Sequence, residues 1–335
     1  MKSIKKILIV AVALLIISSV VESAEITFYG YTWMRYTASE TNKKWFGDLK
    51  ESSFSIPRTY LRWKIKSSEL AGNITVDINN VKGGQEIESG KGKIDWAIWI
   101  KYCYVDLLQI IPYDGVIRFG MQKTYFGTID TWEYPLIEKA LEDKLKLLSS
   151  ADLGFGITGY LPDGLGDYAL AVYNGSGYKK MENNLNKAIA GSISLIPISG
   201  VSLRLSQYIS STNKIGVKKY YATERTAAVL SLSFYPLNSF IEYLTSVDTG
   251  KRGLGYSAFL SWTIINQKLE MLFRNDGWNS DISKNKESYD YTYIIGLNYY
   301  YTDDLLLQIN YQHENYYKSK KADSKQYLVQ LKWSF

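Results

Sequence analysis

The sequence predicts an all-β fold: a 16-stranded antiparallel transmembrane β-barrel with short periplasmic turns, long extracellular loops and an inward-folded constriction loop. Three observations carry this: alternating apolar and polar side chains, an aromatic content of 15% with 29 Tyr, and connections that are short and long in turn. The last nine residues display the alternation most plainly. Tyr327, Val329, Leu331, Trp333 and Phe335 fall on one face of a strand, and Leu328, Gln330, Lys332 and Ser334 on the other. After residue 23 no apolar run approaches the roughly 18 to 20 residues of a membrane helix, whereas a membrane strand needs only alternation. A soluble sandwich would turn its apolar face inward and keep few large exposed aromatics, so the tyrosine load favours the membrane barrel.

Residues 1–23 read as a cleaved signal peptide, with Lys2, Lys5 and Lys6 ahead of an apolar run from Ile7 to Ile17 and small residues near Ala24. Residues 24–335 are then expected to form one barrel domain in a bacterial outer membrane, in contact with its lipid and lipopolysaccharide. The formal charge is +6, and loss of three lysines (Lys2, Lys5, Lys6) and one glutamate (Glu22) with the leader leaves +4. That mild excess, without a nucleic-acid fold or stacking platforms, does not imply nucleic acid. A single cysteine, Cys103, excludes an internal disulfide and a cysteine-rich metal site, so neither cofactor nor metal is expected.

Alternation and turn residues place strands at 25–37, 54–66, 72–79, 96–108, 115–122, 152–161, 167–174, 187–196, 200–209, 223–235, 239–247, 254–265, 268–274, 290–300, 305–314 and 325–335. The short connections, 67–71, 110–114, 162–166, 197–199, 236–238, 266–267 and 301–304, are supplied with Pro, Gly, Asn and Asp, which bend a hairpin. Longer polar connections, at 47–53, 82–93, 175–186, 210–222 and 275–289, belong to the opposite rim.

Within the second strand, Leu61, Trp63 and Ile65 share one face and Arg58, Arg62, Lys64 and Lys66 the other. A cation facing lipid near the midplane costs roughly 2 to 4 kcal/mol, so this basic ladder is expected to face a hydrated lumen. The same parity turns Lys101, Arg118, Arg204, Arg225, Lys268, Arg274 and Lys332 inward, against Asp77, Glu242, Glu270 and Glu314. Such an excess of positive charge inside a low-dielectric wall concentrates anions. The plainer alternative is that each cation pairs with an inward acid or snorkels at a rim.

The longest connection, 123–150, contains a segment from Leu136 to Leu148 with Ile137, Leu141, Leu145 and Leu148 at near-helical spacing. An amphipathic helix folding inward here would narrow the lumen and present the charges Glu133, Glu138, Lys139, Glu142, Asp143, Lys144 and Lys146 at a constriction. A lid helix lying on the rim is the alternative.

Three short segments carry a family resemblance. Phe54-Ser55-Ile56-Pro57-Arg58-Thr59-Tyr60-Leu61 resembles an early strand of the phosphate-selective porin O/P family. Gly120-Met121-Gln122-Lys123-Thr124-Tyr125-Phe126-Gly127 and Ala171-Val172-Tyr173-Asn174-Gly175 are similar to its Gly-rich segment and its aromatic-Asn-Gly strand end. The resemblance implies a homotrimeric, anion-preferring channel, with Arg58 and Lys123 as the matching basic residues.

Gly154-Phe155-Gly156-Ile157-Thr158-Gly159 has dinucleotide-loop spacing but lies inside a strand, so its glycines instead leave room for something packed closely on the wall. The lone His313 has no serine in a nucleophile context beside it, and no enzymatic activity is expected. The function expected from these features is passive diffusion of small hydrophilic solutes, with anions such as phosphate preferred. The alternative is a structural or adhesive barrel with a blocked lumen.

Overall fold

The computed structural model describes residues 24–41, 49–81, 95–182, 185–212, 221–284, 288–316 and 323–335, so the expected signal peptide at 1–23 lies outside the described residues. The strands are β1 (Glu25–Thr41), β2 (Leu49–Lys66), β3 (Leu70–Val81), β4 (Asp95–Ile111), β5 (Gly115–Lys123), β6 (Ala151–Tyr160), β7 (Gly166–Tyr173) and β8 (Ala188–Ile198). They continue as β9 (Val201–Thr212), β10 (Tyr221–Phe234), β11 (Leu237–Asp248), β12 (Lys251–Ile265), β13 (Leu269–Asn279), β14 (Asp290–Thr302), β15 (Leu305–Asn315) and β16 (Ser324–Ser334). Each pairs antiparallel with its sequence neighbours, and β1 closes on β16 to complete a 16-stranded barrel. Closure extends to the terminal residue: Gly30 N donates to the Phe335 carbonyl at 2.8 Å, and Phe335 N donates to the Gly30 carbonyl at 3.0 Å. Every strand edge is thereby paired, as hydrocarbon requires.

Several strands run further toward the long-loop rim than alternation indicates; β1 extends to Thr41 and β13 to Asn279. Polar side chains such as Ser39, Asn275 and Asp276 obscure the pattern there. The backbone ladder continues regardless, because beyond the hydrocarbon layer a strand needs no apolar face. Lys268, expected on a strand facing the lumen, sits instead in the tight turn 266–268 at the short-turn rim, because β13 begins only at Leu269.

The outer surface is apolar, with Ile98, Leu170, Leu205 and Ile241 each more than half exposed. Aromatic rings gather at both rims. Phe28, Trp63, Trp333 and Phe335 cluster near the short turns, with Phe28–Trp63 at 5.2 Å and Trp333–Phe335 at 5.3 Å. Tyr36–Phe54, Tyr291–Tyr293 and Tyr311–Tyr327 line the other rim. His313 lies in this second belt, 6.4 Å from Tyr293. Two such girdles flanking an oily band are the signature of a barrel seated in a bilayer.

Candidate functional site

The connection between β5 and β6 folds into the barrel and supplies most of its core. Tyr125, Phe126, Ile129, Ala140, Leu141 and Leu148 pack on a shallow patch of wall made by Ala169 and Ala171 of β7, Ala188 and Ala190 of β8, and Ala227 of β10. Farther round, Leu136 packs on Leu272 and Ile294, with Phe259 alongside. Inward glycines make this approach possible: a Cβ on Gly156 would lie 3.4 Å from the Tyr125 ring, and one on Gly296 only 2.8 Å from Leu136 Cδ2. Of the glycines that mimic a dinucleotide motif, Gly156 thus leaves room for the loop, whereas Gly154 and Gly159 abut Tyr173 and Tyr168 of the neighbouring strand.

The loop is not the amphipathic helix expected from Leu136 to Leu148. Among its residues only α1 (Leu141–Lys144), a single turn, is helical. Wall side chains take the backbone groups that helical bonds would otherwise satisfy. Ile137 N donates to Asn310 Oδ1 at 2.8 Å, Gln312 Nε2 to the Ile137 carbonyl at 2.9 Å, and Asn298 Nδ2 and Gln308 Nε2 to the Pro135 carbonyl at 3.0 and 3.1 Å. Once its amides are paired this way, the segment has no need to coil.

Nor do the loop charges all meet the passage. Lys144 turns to the wall, 2.9 Å from Glu314 and 2.8 Å from Thr292 Oγ1, with Glu138 at 3.5 Å. Glu142 is fully buried, and that burial pushes its carboxyl up. Glu133 and Asp143 do line a cavity, while Lys139 pairs with Asp143 at 3.5 Å and Lys146 lines a second cavity.

The loop packs mainly on β7 to β15, and part of the space left beside it lies along β1 to β5. A cavity of about 360 Å³ is bounded by Tyr29, Tyr31, Arg62, Lys64, Lys101 and Tyr102 of the wall and by Glu133, Tyr134 and Asp143 of the loop. A second, of about 430 Å³, is lined by Arg58, Lys139, Lys146, Lys179, Lys180 and Arg225.

The candidate basic residues separate into two groups. In the first, each guanidinium has a carboxylate: Arg58–Asp77 at 3.1 Å, Arg118–Asp106 at 2.6 Å, Arg204–Asp130 at 2.7 Å, Arg225–Asp248 at 2.8 Å and Arg274–Asp276 at 2.8 Å. The first four pairs fasten strands to each other or to the loop, the fifth lies within β13, where Arg274 also donates to the Lys139 carbonyl of the loop, and much of their field is cancelled. Lys123 is also committed to the loop, donating to the Asp130 carbonyl at 2.8 Å.

In the second group, Arg62, Lys64, Lys101 and Lys332 have no carboxylate in ion-pair contact among the described residues, and tyrosines take that place. Arg62 lies 5.1 Å from the ring centres of both Tyr31 and Tyr60, and its Nη2 donates to Tyr31 Oη at 3.3 Å. Lys101 Nζ donates to Tyr60 Oη at 2.7 Å. Lys64 lies 5.1 Å from the Tyr29 ring and Lys332 4.7 Å from that of Tyr31. Ring quadrupoles hold the cations in place without neutralising them. Lys66, the last rung, is exposed beside the turn 67–69.

These tyrosines are the functional residues that charge-based reading overlooks. Tyr60 shares parity with Arg58 and Arg62, so its inward direction was available from the sequence. Lys101 and Tyr102, adjacent in the chain, both reach the same cavity because of a register irregularity between Thr75 and Val76 opposite them, which alternation cannot foresee.

No protein-family model matches the sequence, and no curated protein is similar to it at the sequence level. Solved structures are similar in fold. The outer membrane channel DcaP of Acinetobacter baumannii superposes with a TM-score of 0.66 at 12% identity, over 93% of this chain and 98% of that one. An anion-selective porin from Comamonas acidovorans gives 0.62 at 13% identity, over 93% and 100%. Pseudomonas putida OprB gives 0.61 at 9% identity, over 92% and 94%. At such identities the likeness is one of architecture: the chain has the closed 16-stranded barrel fold of outer-membrane porins.

Proposed function

We propose that the protein is an outer-membrane diffusion channel that favours small anions, such as phosphate or organic acids, and performs no chemistry on them. The observation that carries this is the group Arg62, Lys64 and Lys101, which borders the space beside the loop without carboxylate ion-pair partners among the described residues, with Lys332 behind them against the ring of Tyr31. An anion passing there replaces the missing counter-charge, and the low-dielectric wall strengthens the attraction. Barrel closure satisfies the backbone, the two aromatic girdles set its depth in the bilayer, and the docked loop limits solute size.

Support comes also from the neighbours in fold. One is described as an anion-selective porin, and the structure of Pseudomonas aeruginosa OpdK holds vanillate. A cleaved leader, contact with lipopolysaccharide and a homotrimeric assembly belong to the same reading.

The test is reconstitution in planar bilayers. The wild type should conduct, and Arg62→Gln, Lys64→Gln and Lys101→Gln combined should lower the anion-to-cation permeability ratio by about threefold or more. An unchanged ratio would remove these residues as the source of selectivity. A folded barrel that never conducts would favour the blocked-lumen reading.

A further inference from the structure

Two buried carboxyl groups take no part in the passage. Glu142 belongs to α1 of the inward loop and Glu242 to the wall strand β11, and both are 0% exposed. They converge on one residue. Thr128 N lies 2.9 Å from Glu142 Oε1 and 3.0 Å from Glu242 Oε1, while Thr128 Oγ1 lies 3.3 Å from Glu142 Oε2 and 3.1 Å from Glu242 Oε2. Gly127 is pressed against both: a Cβ there would stand 2.2 Å from Glu142 Oε1 and 2.5 Å from Glu242 Oε1, and its φ is +50°. Two carboxylates whose oxygens share a single N–H, away from water, cannot both be ionised. One proton between them converts repulsion into a hydrogen bond.

No cation is in ion-pair contact with either carboxyl among the described residues. Beside Glu242 in the sheet stand Val229 of β10 and Ser257 of β12, both uncharged. From β13, Arg274 is engaged by Asp276 at 2.8 Å, and Asp276 also accepts from Ser257 Oγ at 2.8 Å. The loop's own Lys139 and Lys144 turn to Asp143, Glu138 and Glu314. Arg204 and Arg225, from β9 and β10, are held by Asp130 and Asp248.

We infer that Glu142 and Glu242 share one proton and form a pH-dependent latch that holds the inward loop to β11 and lets go in alkaline solution. The sign follows from linkage. The docked pair holds a proton that the separated carboxylates give up, so between the ionisation of a free glutamate and that of the docked pair each pH unit favours the undocked loop by about tenfold, and the advantage of docking is fully lost once pH passes the pair's own ionisation. Glutamine at either position donates an amide N–H to the remaining carboxylate and cannot lose it. Glu242→Gln should therefore keep the loop docked where the wild type releases it.

Hydrogen exchange of the segment 124–150 tests this directly, comparing folded wild type and Glu242→Gln in detergent at each pH so that intrinsic exchange rates cancel. At pH 6 the two should exchange alike. At pH 9 the wild-type segment should exchange about tenfold faster than the variant. Equal rates at pH 9, or a variant that exchanges faster at both pH values, would overturn the latch. Should Glu242→Gln fail to fold, Glu142→Gln carries the same comparison. Bilayer conductance, which rests on the channel reading, should rise between pH 6 and 9 in the wild type and stay level in the variant. A barrel with the exchange difference but no conductance would refute the channel and leave the latch standing, whereas conductance without the exchange difference would do the reverse.

Discussion

Arg58 and Arg62 stand four residues apart on the same face of β2, with Tyr60 between them, yet their surroundings give them different work. Arg58 is held by Asp77 at 3.1 Å and donates to Tyr134 Oη at 2.9 Å, so it ties β2 to β3 and to the loop. Arg62 rests among tyrosine rings, its buried Nε without a partner. Removing opposing groups should accordingly act in opposite directions. Asp77→Asn frees the charge of Arg58 and should raise the anion-to-cation permeability ratio by about twofold, measured from reversal potentials, whereas Arg62→Gln should lower it. Parity alone assigned the inward face to both arginines. It could not tell them apart, because the acid that neutralises Arg58 comes from another strand and depends on register, Arg58 standing opposite Asn79 and Tyr60 opposite Asp77.

Among the elements, the strands were legible and the loop was only partly so. A period of two survives in any segment that has lipid on one side and water or packed loop on the other, which is why the final strand and β2 stand out. The inward loop obeys no period. Its shape answers to Asn298, Gln308, Asn310 and Gln312, side chains supplied by strands more than 150 residues later in the chain. Near-helical spacing of Ile137, Leu141, Leu145 and Leu148 identified an apolar segment that packs on the wall, but the single helical turn of α1 shows that spacing reported burial and not coiling. If docking rests on this fit, Gly296→Val should disturb it, since its new side chain meets Leu136 Cδ2 at 2.8 Å and Asn310 Nδ2 at 2.7 Å. Overpacking of this kind costs about 1 to 3 kcal/mol, and single-channel conductance should increase as the loop gives way. Unaltered conductance in a folded variant would show that the loop does not set the limiting width.

For the molecule as a whole, closure and the two-faced wall decide the rest. Every strand is paired on both sides, and the terminal Phe335 is joined to Gly30, where a Cβ would stand 2.4 Å from the Tyr60 carbonyl oxygen and 2.9 Å from the Phe335 ring. The outer face tolerates no charge near its midplane. Ile241, 59% exposed and near the middle of β11, should cost roughly 2 to 4 kcal/mol when replaced in Ile241→Lys, read as a lower urea midpoint for the folded barrel in lipid vesicles. The lumen differs in kind. Its charges are numerous, many are paired, and the remainder is positive along β2, β4 and β16. The zero-current potential of the unmodified protein across a KCl gradient measures that remainder most directly. Its sign should be that of chloride passing more readily than potassium, and a sign reporting potassium preference would contradict the account.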